Sequence, residues 1–152
     1  MIVKIRKFET KDAEAVSELI ERAMRVVNSR DYSMEVLEPL IEYFSPEKII
    51  SLNKERICLV AESNEQIIGT AAIESAELFT FFVHPDFQGK DVGKSLIGEI
   101  EKIAVANKIA TIKLSSSLTG VSFYEKMGYR KNGLDKEGTG GKLIGMEKNF
   151  PL

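Results

Sequence analysis

The chain has 152 residues, of which 43% are hydrophobic and 29% charged, with a formal net charge of −2 and a pI near 5.6. This is the balance of a globular protein with a substantial core, and one domain is expected over residues 1–152. It excludes nucleic acid as the main ligand, since there is no basic surplus, and a membrane partner, since no apolar run approaches about twenty residues.

In chain order, residues 2–8 alternate as a first strand, with no secretory leader before it. Thr10 stands where an N-cap is expected, and Val16, Leu19, Ile20, Ala23, Met24 and Val27 follow a helical period to about Asn28. Ser33 opens a second helix with Val36, Leu37, Leu40, Ile41 and Phe44 inward. Ser45-Pro46 opens a third, with serine at N-cap and proline at N1. Residues 56–62 and 66–75 read as a hairpin around Ser63-Asn64-Glu65, with Gly69 at a bulge or a close contact. The only cysteine, Cys58, lies in the apolar run Ile57 to Ala61 and reads as a core residue; a lone thiol fits a reducing, cytoplasmic setting. With one histidine and one cysteine, no metal site is expected.

The stretch Leu78 to Leu96 carries the chemistry. Leu78 to Val83 reads as a buried strand ended by Pro85. Gly93, Leu96, Ile97, Ile100, Ile103 and Ala104 then give a helical period. The turn between them, Gln88-Gly89-Lys90-Asp91-Val92-Gly93, brings glycine to a helix start. Unpaired amides and the macrodipole make such a junction a binding place for phosphate. A Walker A loop fails, because Gly93-Lys94-Ser95 has Gln88 where its first glycine belongs, and no G-x-G-x-x-G is present. Beyond it come a helix at about 91–107, a strand at 111–115, a helix at about 119–127 and strands near 129–132 and 142–149. Gly138, Gly140 and Gly141 mark a turn between the last two.

Val83-His84-Pro85-Asp86-Phe87-Gln88-Gly89-Lys90-Asp91-Val92-Gly93-Lys94-Ser95-Leu96 resembles the acetyl-CoA loop of the GNAT superfamily of N-acetyltransferases, V-x-P-x-x-[QR]-G-x-G-[IV]-G-x-x-L. Asp91 is the one departure, standing where the family carries glycine. A second segment, Phe123-Tyr124-Glu125-Lys126-Met127-Gly128-Tyr129, is similar to the family's late motif, and Gly128 suits a helix C′ position. The resemblance implies an α+β fold with a mixed sheet, whose fourth and fifth strands splay apart to admit the pantetheine arm of the co-substrate acetyl-CoA.

It further implies transfer of acetyl to a primary amine of a small molecule or peptide by direct attack. The loop amides from Gln88 through Gly89, Lys90, Asp91, Val92, Gly93 and Lys94 to Ser95 would hold the pyrophosphate. The backbone of Phe81, Phe82 and Val83 would pair with pantetheine. Tyr124 would be the general acid, and Ser117, beside Ser115 and Ser116, a CoA contact. Glu77 is the first candidate for general base, followed by Glu74 and His84. The acceptor would lie against residues 25–53, where Arg25, Arg30, Asp31, Tyr32, Glu38, Glu42 and Tyr43 offer both charges. A non-catalytic acyl-CoA sensing module is the competing reading, kept open by Asp91. Relatives of this kind pair through C-terminal strands, so Leu143 to Phe150 would supply the edge of a homodimer.

Overall fold

The computed structural model describes residues 1–137 and 141–151, so the expected turn positions Gly138 and Gly140 lie outside the described residues. Among the described residues seven strands form one sheet: β1 (Lys4–Lys7), β2 (Ile57–Ser63), β3 (Gln66–Glu74), β4 (Glu77–Val83), β5 (Thr111–Ser116), β6 (Arg130–Lys131) and β7 (Ile144–Asn149). Their spatial order is β1-β2-β3-β4-β5-β7-β6. Every pairing is antiparallel except β4–β5, which is parallel. Five α-helices accompany them in the described residues: α1 (Ala13–Val26), α2 (Met34–Tyr43), α3 (Pro46–Asn53), α4 (Val92–Ala106) and α5 (Val121–Lys126). This is the mixed α+β sheet that the element order implies.

The sheet buries both faces, and β2 shows why. Side chains alternate across a strand. Leu59 and Ala61 therefore join the core under α4, with Leu96, Ile97 and Ile100, while Cys58 and Val60 join the core under α1, with Val16, Ile20 and Met24. Burial raises the Cys58 thiol to about 11, which keeps it protonated and inert at neutral pH. The β2–β3 hairpin closes on Asn64 and Glu65, both with positive φ (50° and 63°), the geometry of a two-residue primed turn. Gly69 realises both roles expected of it: the register slips beside it, and an added Cβ would stand 2.8 Å from Leu96 Cδ1. The helix α4 packs there because that position has no side chain.

Three expectations need correction. Thr10 is not the cap of the first helix; it begins a 3-10 turn (Thr10–Asp12) whose N-cap is Glu9, with the Glu9 N–H donating to Asp12 at 2.8 Å. A carboxylate three residues in outcompetes the hydroxyl, because it also takes two hydrogen bonds from Arg6 at 2.8 and 2.9 Å. Ser33 occupies the N-cap position of α2 without making a side-chain cap bond, whereas Ser45 of α3 accepts from the Lys48 N–H at 3.2 Å. Finally, β7 is not a free edge, since β5 and β6 flank it at Met146 and Glu147.

The Arg6 guanidinium beside Asp12 holds that buried carboxyl below the usual carboxylate range. A lowered folded value gives stability that is complete above the unfolded pKa of about 3.9 and is lost as pH falls through the folded one. Asp12→Asn is expected to cost about 1–3 kcal/mol at pH 7 in urea unfolding. The gap from the parent protein should narrow only below about pH 4.

Candidate active site

Strands β4 and β5 meet at one point and then part. Glu77 pairs with Lys113, and the Lys113 N–H donates to the Ala76 carbonyl at 2.8 Å. Beyond that contact the β5-facing edge of β4 has no strand partner among the described residues. The gap opens into a cleft of about 820 Å³ walled by Phe79 to Val83 on one side and by Leu114, Ser115 and Tyr124 on the other. Strand β4 also bulges here. Thr80 and Phe81 together oppose one residue of β3, and Thr80 sits at φ 46°, a left-handed conformation that a β-branched residue rarely adopts. Strain of this kind, held by its surroundings, is characteristic of functional positions.

At the end of β4 the chain turns through Pro85–Phe87 into α4. Gln88 Nε2 donates to the Val83 carbonyl at 3.1 Å and pins the strand end. Gly89 (φ 73°) and Asp91 (φ 63°) both take left-handed backbone, which aspartate tolerates better than most residues and which lets it stand in the glycine position. The run of free amides is narrower than the motif suggests. The Gln88 N–H donates to Pro85 at 3.4 Å and the Ser95 N–H to Asp91 at 3.0 Å. Between them, from Gly89 to Lys94, no backbone N–H has a protein acceptor among the described residues. These amides lie at the positive end of a fifteen-residue helix, the arrangement that binds anions.

Tyr124 reaches the cleft from α5, and its position is over-determined. The helix ends in a Schellman motif: the Gly128 N–H donates to Glu125 at 3.1 Å and the Tyr129 N–H to Tyr124 at 3.0 Å, with Gly128 at φ 93°. Tyr129 then braces the Tyr124 ring edge-on at 5.9 Å, and its own hydroxyl donates to Glu101 at 3.0 Å. On the opposite side Phe81 of β4 lies 5.8 Å from the Tyr124 ring and stacks on Phe123 at 5.3 Å. Gly93 makes room for that stack, since a Cβ there would meet Phe81 and Phe123 at 3.1 and 3.2 Å. No described residue bonds the Tyr124 hydroxyl, and burial pushes its pKa above the ordinary phenol value.

The remaining predicted residues separate into two groups. Glu77, Phe82, Val92, Lys94 and Ser117 line the cleft with those already named. Lys90 and Ser95 do not; the Lys90 ammonium lies over the Phe87 ring at 5.4 Å, and Ser95 is exposed on α4. Ser117 Oγ is already engaged, accepting from the Gly120 N–H at 3.1 Å. Of the candidate bases, Glu74 is held by Arg56 at 3.0 Å, and His84 accepts from the Asp86 N–H and faces away from the cleft. That leaves Glu77, half-buried where the two strands diverge.

Two roles escape sequence reasoning: that of Thr119, and the tie made by Tyr32, which the sequence offers only as an acceptor-region residue. Thr119 Oγ1 is buried in the cleft wall with no hydrogen-bond partner among the described residues. Tyr32 ties three distant segments together: its hydroxyl donates to the Lys142 carbonyl at 2.6 Å and accepts from the Leu118 N–H at 2.9 Å. Burial raises the Tyr32 phenol and keeps that donor protonated.

Comparison with known proteins bears on this geometry. Residues 28–150 match the family model of the acetyltransferase (GNAT) domain. The chain is 29% identical to the spermidine N(1)-acetyltransferase of Thermoplasma acidophilum, over 99% of each chain. The crystal structure of PaiA N-acetyltransferase from the same organism, in complex with coenzyme A, superposes with a TM-score of 0.84 at 28% identity over 99% of this chain and 100% of that one. A GCN5-related N-acetyltransferase from Rhodopseudomonas palustris shares the fold, with a TM-score of 0.89 at 23% identity over 99% of both chains. The chain belongs to the GNAT acetyltransferases and is an N-acetyltransferase.

Tyr32→Phe removes both bonds of the tie and leaves a carbonyl and an amide to find new partners. It is expected to lower unfolding free energy by about 1–2 kcal/mol. Hydrogen exchange should accelerate around Leu118 and Lys142 ahead of the rest of the molecule.

Proposed function

We propose that the cleft binds acetyl-CoA and passes its acetyl group to a primary amine by direct attack in a ternary complex. The observation that carries this reading is continuity. The unpaired edge of β4 runs into the free amides of Gly89 to Lys94, and Tyr124 lines the same cleft. The amide-rich pantetheine arm suits an exposed strand edge, and the pyrophosphate suits the helix start. Thr119 Oγ1 supports the fit, because a buried hydroxyl without a partner is costly unless a ligand satisfies it.

The chemistry follows from these groups. An alkylamine has a reference pKa near 10.4 and must shed a proton before it attacks. Glu77, which no cation of the described residues neutralises by an ion pair, is assigned to receive that proton, directly or through water. The amine nitrogen bonds to the thioester carbonyl carbon, and backbone N–H groups at the β4 bulge would stabilise the oxyanion. The C–S bond then breaks, and Tyr124 donates its proton to the departing thiolate. A raised phenol pKa suits that role, since the proton is present at working pH. Coenzyme A in the PaiA crystal structure supports the choice of co-substrate, and the name of the Thermoplasma relative makes spermidine an acceptor worth testing.

Tyr124→Phe is expected to cut kcat by ~10²–10⁴ while calorimetry shows acetyl-CoA binding retained; unchanged turnover would make Tyr124 structural. In the parent protein, kcat/KM should rise with pH toward the amine pKa, with no falling limb from Tyr124 below about pH 10. Asp91→Gly removes a carboxylate from the wall beside the amides, so CoA affinity should rise by about tenfold. Weaker binding there would mean that the carboxylate has been recruited.

A further inference from the structure

The charge balance of the acceptor end of the cleft differs from what a polyamine requires. This end is formed by the last turn of α1, the start and inner face of α2, and strand β4. Its walls carry the apolar side chains of Val27, Leu40, Phe44, Phe79 and Leu143 beside the uncharged polar Asn28 and Tyr32, and Phe44 packs edge-on against Phe82 at 6.2 Å. Among the described residues the cleft is lined by two carboxylates, Glu77 and Asp91, and Asp91 belongs to the phosphate end. The acidic residues nearby in sequence are elsewhere. Glu38 and Glu21 are paired with Arg25 at 2.7 and 2.9 Å, Glu74 with Arg56, and Asp31, Glu35, Glu42, Asp135 and Glu137 are exposed without lining the cleft. Lys136 adds a cation to the wall, next to Leu143, with which it exchanges two backbone bonds. Gly138, Thr139 and Gly140 carry no charge in the sequence.

One carboxylate matches one ammonium. A second ammonium placed further along would leave water for an apolar wall with no counter-charge, and would face Lys136. Resting on the acyl-transfer reading above, we propose that the acceptor is a small monoamine with an uncharged apolar body, and that this site discriminates against polyamines. The reacting nitrogen sits by Glu77 and the apolar body lies against α1 and α2.

Three amines of equal length test this. Pentylamine, 1,4-diaminobutane and 5-aminopentanoate differ only in carrying a methyl, an ammonium or a carboxylate at the far end. With acetyl-CoA and the full chain, kcat/KM for pentylamine should exceed that for each of the others by at least about tenfold. It should climb about fourfold per methylene from propylamine to pentylamine, the factor for burying one CH₂. Spermidine should behave like the diamine. Asn28→Asp adds a carboxylate to the same wall with almost no change of shape, and should reduce the pentylamine-to-diamine ratio by about tenfold. A diamine or spermidine acetylated as fast as pentylamine or faster overturns the monoamine proposal and leaves acyl transfer standing, as does a ratio unmoved by Asn28→Asp. Acetyl-CoA binding without acetylation of any of these amines overturns acyl transfer itself.

Discussion

The structure depends on a hydrogen-bonding deficit held open by packing. A strand edge without a partner is normally paired or covered, because bare N–H and C=O groups attract another chain. Here β4 and β5 are tied at Glu77–Lys113 and then kept apart. The wedge is aromatic: Phe81 stacks on Phe123, and Tyr124 packs against both and against Tyr129 in tilted and edge-on contacts. Pairing the strands fully would require expelling those rings from the core. The unsatisfied edge is therefore the by-product of a favourable apolar contact, and it leaves a place where an extended ligand can bind.

The same economy governs the loop. Gly93 exists to admit the Phe81–Phe123 stack as much as to admit a ligand, and Gly89 and Asp91 supply the left-handed turns that expose successive amides. The cost of Asp91 in that conformation is small, and its consequence is electrostatic. A carboxylate beside amides that suit an anion opposes the pyrophosphate that the proposed function assigns to them. The tie through Tyr32 works at another part of the cleft wall, where it links the segment before α2 to those around Leu118 and Lys142.

Charges around the site are mostly spent on each other. Arg6, Asp12 and Glu62 form one cluster, Arg25, Glu21 and Glu38 another, and Arg56 with Glu74 a third. Of these, Arg25 and Glu38 stand among the acceptor candidates of the sequence, and Glu74 among its candidate bases. In the folded protein they neutralise one another, which leaves Glu77 as the acid at the divergence point and an apolar surface around it.

The sequence by itself determined the order of strands and helices, the glycine-bearing turn from β4 into α4, the Ser45 cap and the Gly128 helix end. Each of these is set by contacts within about five residues, through periodicity, capping and the steric freedom of glycine. The resemblance of two motifs then implied a splay between β4 and β5 that no periodicity reveals. Only the tertiary structure decided how far the free amides extend, that Thr80 adopts a left-handed bulge, that Asp12 rather than Thr10 orders the first helix, and that Glu74 and His84 are engaged elsewhere. It also decided the Tyr32 tie, whose partners lie 86 and 110 residues away. Those outcomes depend on which side chains meet across the sheet, and a local pattern carries no record of that meeting.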